Sequence, residues 1–216
     1  MLRVRNDNLS ATLESYFPQA VPYDPARSKS IARNALEKFA KYGLRPAQVH
    51  HRAGDHLFDY DLSVFLFNYQ AHFRFSAERL FVNVQNARSK QDVEVLVEAM
   101  VLGAQCLVDA EAITRFNFQA ASHAIFDVKA DGNAFFQAFV DPSNHVVGGG
   151  KIITVQQADW NTSVRLSVEK SVVVQDGAFL AWATEQTGAV NLEALKAIAD
   201  RFSVSARSIG LEYRLE

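Results

Sequence analysis

Two segments of this chain, 91 residues apart, resemble each other, and this repeat limits the folds that the chain can adopt. With Leu62 aligned on Ile153, the segments 62–79 and 153–170 are identical at four of eighteen positions. The identical pairs are Val64/Val155, Arg74/Arg165, Ser76/Ser167 and Glu78/Glu169. The same order of predicted elements follows each segment, which a coincidence of composition does not explain. We therefore interpret the chain as an internal duplication.

Each copy is predicted to have the order β-β-β-α-β. In the first copy, apolar and polar residues alternate from Leu57 through three short segments, which predicts an antiparallel meander. Ser89 then begins a capped helix, and a strand is expected over 113–118. In the second copy, a helix over 191–202 and a strand over 209–215 take the same places. The pattern predicts an α+β fold of two similar lobes, with antiparallel sheets and helices packed on one side.

The composition shifts along the chain predict four regions. Residues 1–56 are expected to form an N-terminal arm and a capped helix, and residues 57–119 the first lobe. Residues 120–150 are expected to be a connector with a short strand, a short helix and a glycine hinge, and residues 151–216 the second lobe.

The N-terminal region contains one helix with both ends marked. Asp24 is the expected N-cap with Pro25 at the first helical position, and Gly43 supplies the left-handed residue after the helix. Residues 1–23 are interpreted as an arm that packs on a partner subunit or as a tied-down terminus. Residues 48–56 have no period and are predicted to be a loop.

Charge and composition exclude several classes of protein. The formal net charge of −2 argues against a generic polyanion binder, because counterion release needs clustered positive charge. The single cysteine excludes an intramolecular disulfide. No run approaches 18 apolar residues, and residues 1–20 lack the apolar core of a signal peptide. We therefore expect a cytoplasmic protein with no membrane association and no cofactor.

A cluster of histidines and carboxylates is the one candidate metal site. His50, His51, His56 and Asp59 fall close together in the sequence, and such side chains can bind zinc or a similar ion. Their spacing matches no metal-binding signature. Solvated loop histidines followed by a polar strand face are the alternative interpretation.

The repeated polar residues form the candidate binding site. His72, Arg74 and Ser76 share one face of a predicted strand, and Arg165 and Ser167 share the matching face in the second copy. Solvated cross-strand pairs would account for them. A groove between the lobes, lined by both arginines and suited to an acidic or extended partner, is the functional interpretation.

Two further features have a structural and a functional interpretation. Cys106 lies in the most apolar helix, where a packed core thiol is expected instead of a reactive one. The glycines at 148–150 precede a strand and not a helix, which favours a hinge over a phosphate loop.

These residues support three hypotheses of function. The first is a non-enzymatic binding or assembly protein of unknown specificity, which we expect to be oligomeric, with a protein partner or self-association. The alternative is a metal-assisted hydrolase or nuclease that uses the cluster of residues 50–61. Nucleic-acid binding through Arg74, Arg165, Lys151 and Lys170 is unlikely, because it requires these four residues to cluster against an unfavourable net charge.

Overall fold

A computed structural model describes residues 1–106, 115–139, 149–157, 162–187 and 198–215. The helices in these ranges are α1 (Pro25–Lys38), α2 (Lys90–Gln105), α3 (Lys129–Gln137) and α4 (Ile198–Arg207). The strands are β1 (Leu2–Tyr16), β2 (Val49–Ala53), β3 (Tyr60–Leu66), β4 (Ala71–Ser76), β5 (Arg79–Ala87), β6 (Arg115–Phe126), β7 (Gly150–Gln157), β8 (Thr162–Lys170), β9 (Gly177–Thr187) and β10 (Leu211–Arg214).

The strands form one sheet, and the fold is α+β. Its order is β2-β3-β4-β5-β1-β6-β9-β8-β7, with β10 paired to β1 outside this path. The β1–β10 pair is parallel, and the other pairs between described strands are antiparallel. The strands expected in two lobes therefore lie in one continuous sheet, and the division of the chain into four regions stays a prediction.

Of the two interpretations of residues 1–23, the structure favours the tied-down terminus over the arm, because residues 2–16 form a central strand of the sheet. β1 pairs with β5 on one side and with β6 on the other. Its buried residues Leu9, Ala11 and Leu13 alternate with the half-buried Ser10 and Thr12, which is the pattern of a strand with one face in the core.

The loop predicted over 48–56 contains the edge strand β2, whose one partner among the described strands is β3. Its side chains are mostly exposed, so the backbone ladder forms without an apolar period that would mark a strand in the sequence. β6 is also longer than expected, since it runs from Arg115 to Phe126 into the predicted connector. Gly150 is the first residue of β7, whereas residues 140–148 of the predicted hinge region lie outside the described residues.

The meander β3-β4-β5 and the first two helices confirm the sequence patterns. The Asp24 carboxylate accepts a hydrogen bond from the Ala26 N–H at 2.8 Å at the start of α1. After a 3-10 turn, Gly43 takes the left-handed conformation with φ of +73°. At α2, the Ser89 hydroxyl and the Asp92 carboxylate accept each other's backbone N–H, both at 3.1 Å. Residues 191–197 of the helix predicted in the second copy lie outside the described residues.

The helices pack on one face of the sheet. Phe73, Val82, Leu13 and Phe118 are successive neighbours across β4, β5, β1 and β6, so their side chains share that face. Phe39, which ends α1, contacts Phe73 with ring centroids 4.9 Å apart, and Phe202 of α4 stacks on Phe118 at 6.1 Å. We call the opposite side of the sheet, which includes His72 and Arg165, the open face.

Candidate functional site

All five predicted binding residues lie on the open face. His72, Asn83, Thr12, Gln119, Ala183 and Arg165 are successive neighbours across β4, β5, β1, β6, β9 and β8. Arg74 and Ser76 follow His72 at two-residue steps, as Ser167 follows Arg165, and strand side chains two residues apart share a face. The sequence therefore identified the correct face for these side chains.

The first copy of these residues lines a groove of about 410 Å³, which we call the Arg74 groove. Its lining residues are Tyr16, His72, Arg74, Ser76, Glu78, Arg79 and Phe81.

Ion pairs neutralise the arginines of the Arg74 groove. Asp61 lies 3.4 Å from the Arg74 guanidinium and 3.1 Å from that of Arg52. Arg79 contacts Glu14 at 2.5 Å, and the Tyr16 hydroxyl donates to the same Glu14 carboxylate at 2.9 Å. These cations already have carboxylate partners within the chain.

His72 is held between aromatic rings. It stacks on Phe65 with centroids 4.5 Å apart and planes 5° apart, and it meets the edge of Phe81 at 6.0 Å. Burial lowers the pKa of His72, and the Arg74 charge lowers it further, whereas Asp61 acts in the opposite direction. The neutral form of the ring therefore predominates at pH 7.

The second copy lines a separate groove of about 460 Å³, which we call the Arg165 groove. Its lining residues are Ser10, Thr12, Gln119, Ala120, Ala121, Arg165, Ser167, Phe179, Ala181, Trp182 and Ala183. This lining contains no carboxylate. Within the described part of the chain, Arg165 has no hydrogen bond or ion pair.

Arg74 and Arg165 do not converge on one groove. β4 and β8 are separated by five strand-to-strand steps in the sheet. At about 4.8 Å per step, this is roughly 24 Å along the sheet. The groove expected between the two lobes is thus replaced by two grooves on one face.

The candidate metal cluster is not assembled. His50 and His51 are successive residues of β2, so their side chains point to opposite faces. His51 stacks on Tyr23 at 5.3 Å, and Asp59 lies 3.5 Å from Arg52. Among the described residues, which include His56 and the other three, no three His, Cys, Asp or Glu side chains form a group that could hold a metal ion.

The four basic residues of the nucleic-acid hypothesis do not cluster. Lys151 pairs with Val168 of β8, whose buried side chain faces the helices, so Lys151 lies on the other face from Arg165. Lys170 follows Val168 by two residues and shares that face.

Cys106 is a packed core thiol, as predicted. Cys106 is 5% exposed, and burial raises the pKa of its thiol to about 11. The thiolate needed for nucleophilic chemistry is therefore scarce at neutral pH.

The sequence reasoning missed the contributions of β1 and β6 to the Arg165 groove. Ser10 and Thr12 were available as a signal, because they alternate with Leu9, Ala11 and Leu13 over the first fifteen residues. Neither strand belongs to the repeated segment from which the candidate residues were chosen.

Comparison with known proteins identifies no family. No family model matches the chain, and no curated protein matches it. Among solved structures, an RNA triphosphatase of S. pombe aligns with 98% of this chain and 86% of its own, at 7% identity and a TM-score of 0.12. A likeness of that size carries no argument about fold or function. No helix in the described ranges is both long enough and apolar enough to cross a membrane.

Proposed function

We propose that this chain is a non-enzymatic binding or assembly protein that holds a protein partner on the open face of its sheet. The observation that carries the proposal is the Arg165 groove, which presents a guanidinium without a partner in the described residues beside hydroxyl groups and small side chains. Arginine is enriched where proteins bind each other, and its planar donors suit carboxylates.

The chemistry of the open face supports binding better than catalysis. In the Arg74 groove, the charged groups Arg74, Asp61, Arg79 and Glu14 are engaged with one another. A general acid or base needs a titratable group within reach of a substrate and a pKa near the working pH. His72, the titratable group closest to that range, is packed between rings instead.

We also propose that the two grooves descend from a duplicated β-β-β-α-β unit. The strand register supports this: Asp61↔Ser76, Leu62↔Phe75 and Ser63↔Arg74 in β3–β4 become Ile152↔Ser167, Ile153↔Leu166 and Thr154↔Arg165 in β7–β8 under one shift of 91 residues. Burial agrees on the second strand of each pair, where Ser76 and Ser167 are both half-buried, and differs on the first, where Leu62 and Ser63 are buried but Ile153 is half-buried and Thr154 is exposed. Phe75 and Leu166 are both buried, and Arg74 and Arg165 are both exposed, whereas Val64 is buried and Val155 is half-buried.

A photo-crosslinking experiment tests the binding proposal. A benzophenone amino acid is placed at Gln85, which is exposed on the open face and lies outside both grooves. The control carries it at Arg33 on the outer side of α1, where the side chain is 70% exposed. In a lysate of the host cells, we expect discrete adducts with a host protein or a second copy from position 85 only.

Equal adduct patterns from the two positions, or none from position 85, would refute a partner on the open face.

A further inference from the structure

The two grooves differ in the side chains that surround equivalent arginines. Moving across the sheet from Arg74, the neighbours on β5 and β1 are Phe81 and Glu14. From Arg165, the neighbours on β9 and β6 are Ala183 and Gln119. The place of a ring in the Arg74 groove is thus taken by a methyl group in the Arg165 groove, and the place of a carboxylate is taken by an amide.

The second carboxylate of the Arg74 groove is also replaced. Asp61, which pairs with Arg74, stands opposite Ser76, and the residue opposite Ser167 in the second copy is Ile152. Ile152 is 64% exposed on the edge strand. Asp61 and Glu14, which pair with Arg74 and Arg79 in the other groove, therefore have no acidic counterpart at these places beside Arg165.

Among the described residues, the remaining acids of this region do not replace them. Glu185, on the open face of β9, lies 3.5 Å from Arg115. Glu169 is four residues from Arg165 along β8, which is roughly 13 Å at the rise of a strand. The Arg165 charge is left for a ligand.

The floor of the groove is made of small side chains. Ser10, Ala121, Ala181 and Ser167 are successive neighbours across β1, β6, β9 and β8. At the corresponding places of the Arg74 groove, Tyr16 and Arg79 are neighbours on β1 and β5. Small residues over four adjacent strands let another backbone approach closely, along roughly 14 Å of sheet.

We propose that the Arg165 groove binds an acidic peptide segment of the protein partner. This inference rests on the proposed function. An Asp or Glu carboxylate of the segment pairs with the Arg165 guanidinium, its second oxygen accepts from a hydroxyl such as that of Ser167, and the flanking residues lie over the alanines. Charge complementarity selects an acidic occupant, and the length of the groove across four strands exceeds what an inorganic anion needs.

The first experiment selects displayed random twelve-residue peptides on the full-length protein and measures their Asp and Glu content. We expect wild type to enrich acidic peptides. Arg165→Ala removes the cation, and Ile152→Asp supplies the carboxylate that the other groove has at this place while leaving Arg165 intact. Both variants should lose the enrichment. Arg74→Ala is the matched control and should retain it, because Arg74 lines the other groove.

The second experiment measures affinity by fluorescence polarisation of one enriched acidic peptide. Arg165→Ala and Ile152→Asp should each weaken binding by about fivefold, which is the size expected for one exposed ion pair. Inorganic phosphate at equal ionic strength should compete no better than chloride. Arg165 and Ile152 are exposed, and thermal unfolding by circular dichroism checks that the variants fold.

Enrichment without acidic residues, or unchanged affinity in both variants, would overturn the inference. If inorganic phosphate displaces the peptide and chloride at equal ionic strength does not, the inference is overturned in favour of a small-anion site. A partner that is cross-linked from position 85 and binds Arg165→Ala as tightly as wild type would refute the acidic segment while leaving the proposed function intact. If no partner is cross-linked from position 85, the proposed function itself is refuted.

Discussion

A buried hydrogen-bond network joins β10 to the centre of the sheet and makes a quantitative prediction about stability. The Asn6 amide donates to the carbonyl oxygens of Ala87 and Arg88, at 3.0 and 3.1 Å, where β5 leaves β1. The Asn6 carbonyl oxygen accepts from the hydroxyls of Ser122 and Tyr213, at 2.8 and 3.0 Å. These two hydroxyls lie 2.9 Å apart. All three side chains are buried, so water does not replace a lost partner without cost.

The Ser122 and Tyr213 hydroxyls have only two hydrogens for their three short contacts, so the network holds four hydrogen bonds at once, two of them from the Asn6 amide. Asn6→Ala leaves one bond, from Tyr213 to Ser122, so at about 1 kcal/mol net for each bond the variant should lose about 3 kcal/mol of unfolding free energy. Tyr213→Phe should lose only about 1 kcal/mol, because Asn6 retains Ser122. The double variant removes all four bonds and should lose about 4 kcal/mol.

Urea unfolding followed by the fluorescence of Trp182, which packs 5.6 Å from Tyr213, measures these differences. A loss of less than about 1 kcal/mol in Asn6→Ala, or a loss no larger than that of Tyr213→Phe, would refute the stabilising network.

The same network predicts that the stability of the fold depends on pH. Burial raises the pKa of Tyr213 above its ordinary value of 10. The unfolded chain therefore ionises this phenol first, so its contribution is complete below pH 10 and is lost as pH rises above about 10. Wild type should lose stability there more steeply than Tyr213→Phe, and equal slopes would contradict the buried neutral phenol.

Three other predictions test the core and the helix cap. Cys106 should not react with an aromatic disulfide reagent at pH 8 until the chain unfolds, because burial raises its pKa to about 11; stoichiometric labelling of the folded protein would contradict this. Leu13→Ala should lower the unfolding free energy measured in urea by about 3–4 kcal/mol, because Leu13 is fully buried. Leu57→Ala, at a residue that is 65% exposed, should change it by less than about 0.5 kcal/mol. Similar losses in the two variants would place Leu13 outside the core. Asp24→Ala should lower the unfolding free energy by about 1 kcal/mol and Asp24→Asn by much less, because asparagine also caps a helix. An unchanged unfolding free energy in Asp24→Ala would show that the cap of α1 contributes nothing.

Local patterns in the sequence determined most of the individual elements. Asp24 and Ser89 cap their helices because their side chains satisfy backbone N–H groups within three residues. The alternation in β4 fixes which side chains face the helices, so Arg74 and Phe75 lie on opposite faces as predicted. These features depend on neighbours in the chain, which a sequence displays directly.

Only the tertiary structure decided how these elements combine. The alternation in residues 2–16 is readable as a strand, but its place between β5 and β6 depends on pairing with residues 63 to 122 positions away. β2 has exposed side chains, so the hydrophobic pattern of the sequence does not reveal that its backbone pairs with β3. Because β2 is a strand, the neighbouring histidines His50 and His51 point to opposite faces and do not form a cluster.

The difference between the two grooves has the same origin. Arg74 and Arg165 have matching register positions in β3–β4 and β7–β8, yet the carboxylates that surround Arg74 belong to other strands. Glu14 reaches the first groove from β1, and Ala181 and Ala183 open the second from β9. A sequence orders residues along one strand at a time, whereas the charge and depth of a groove are set by the side chains that neighbouring strands bring beside it.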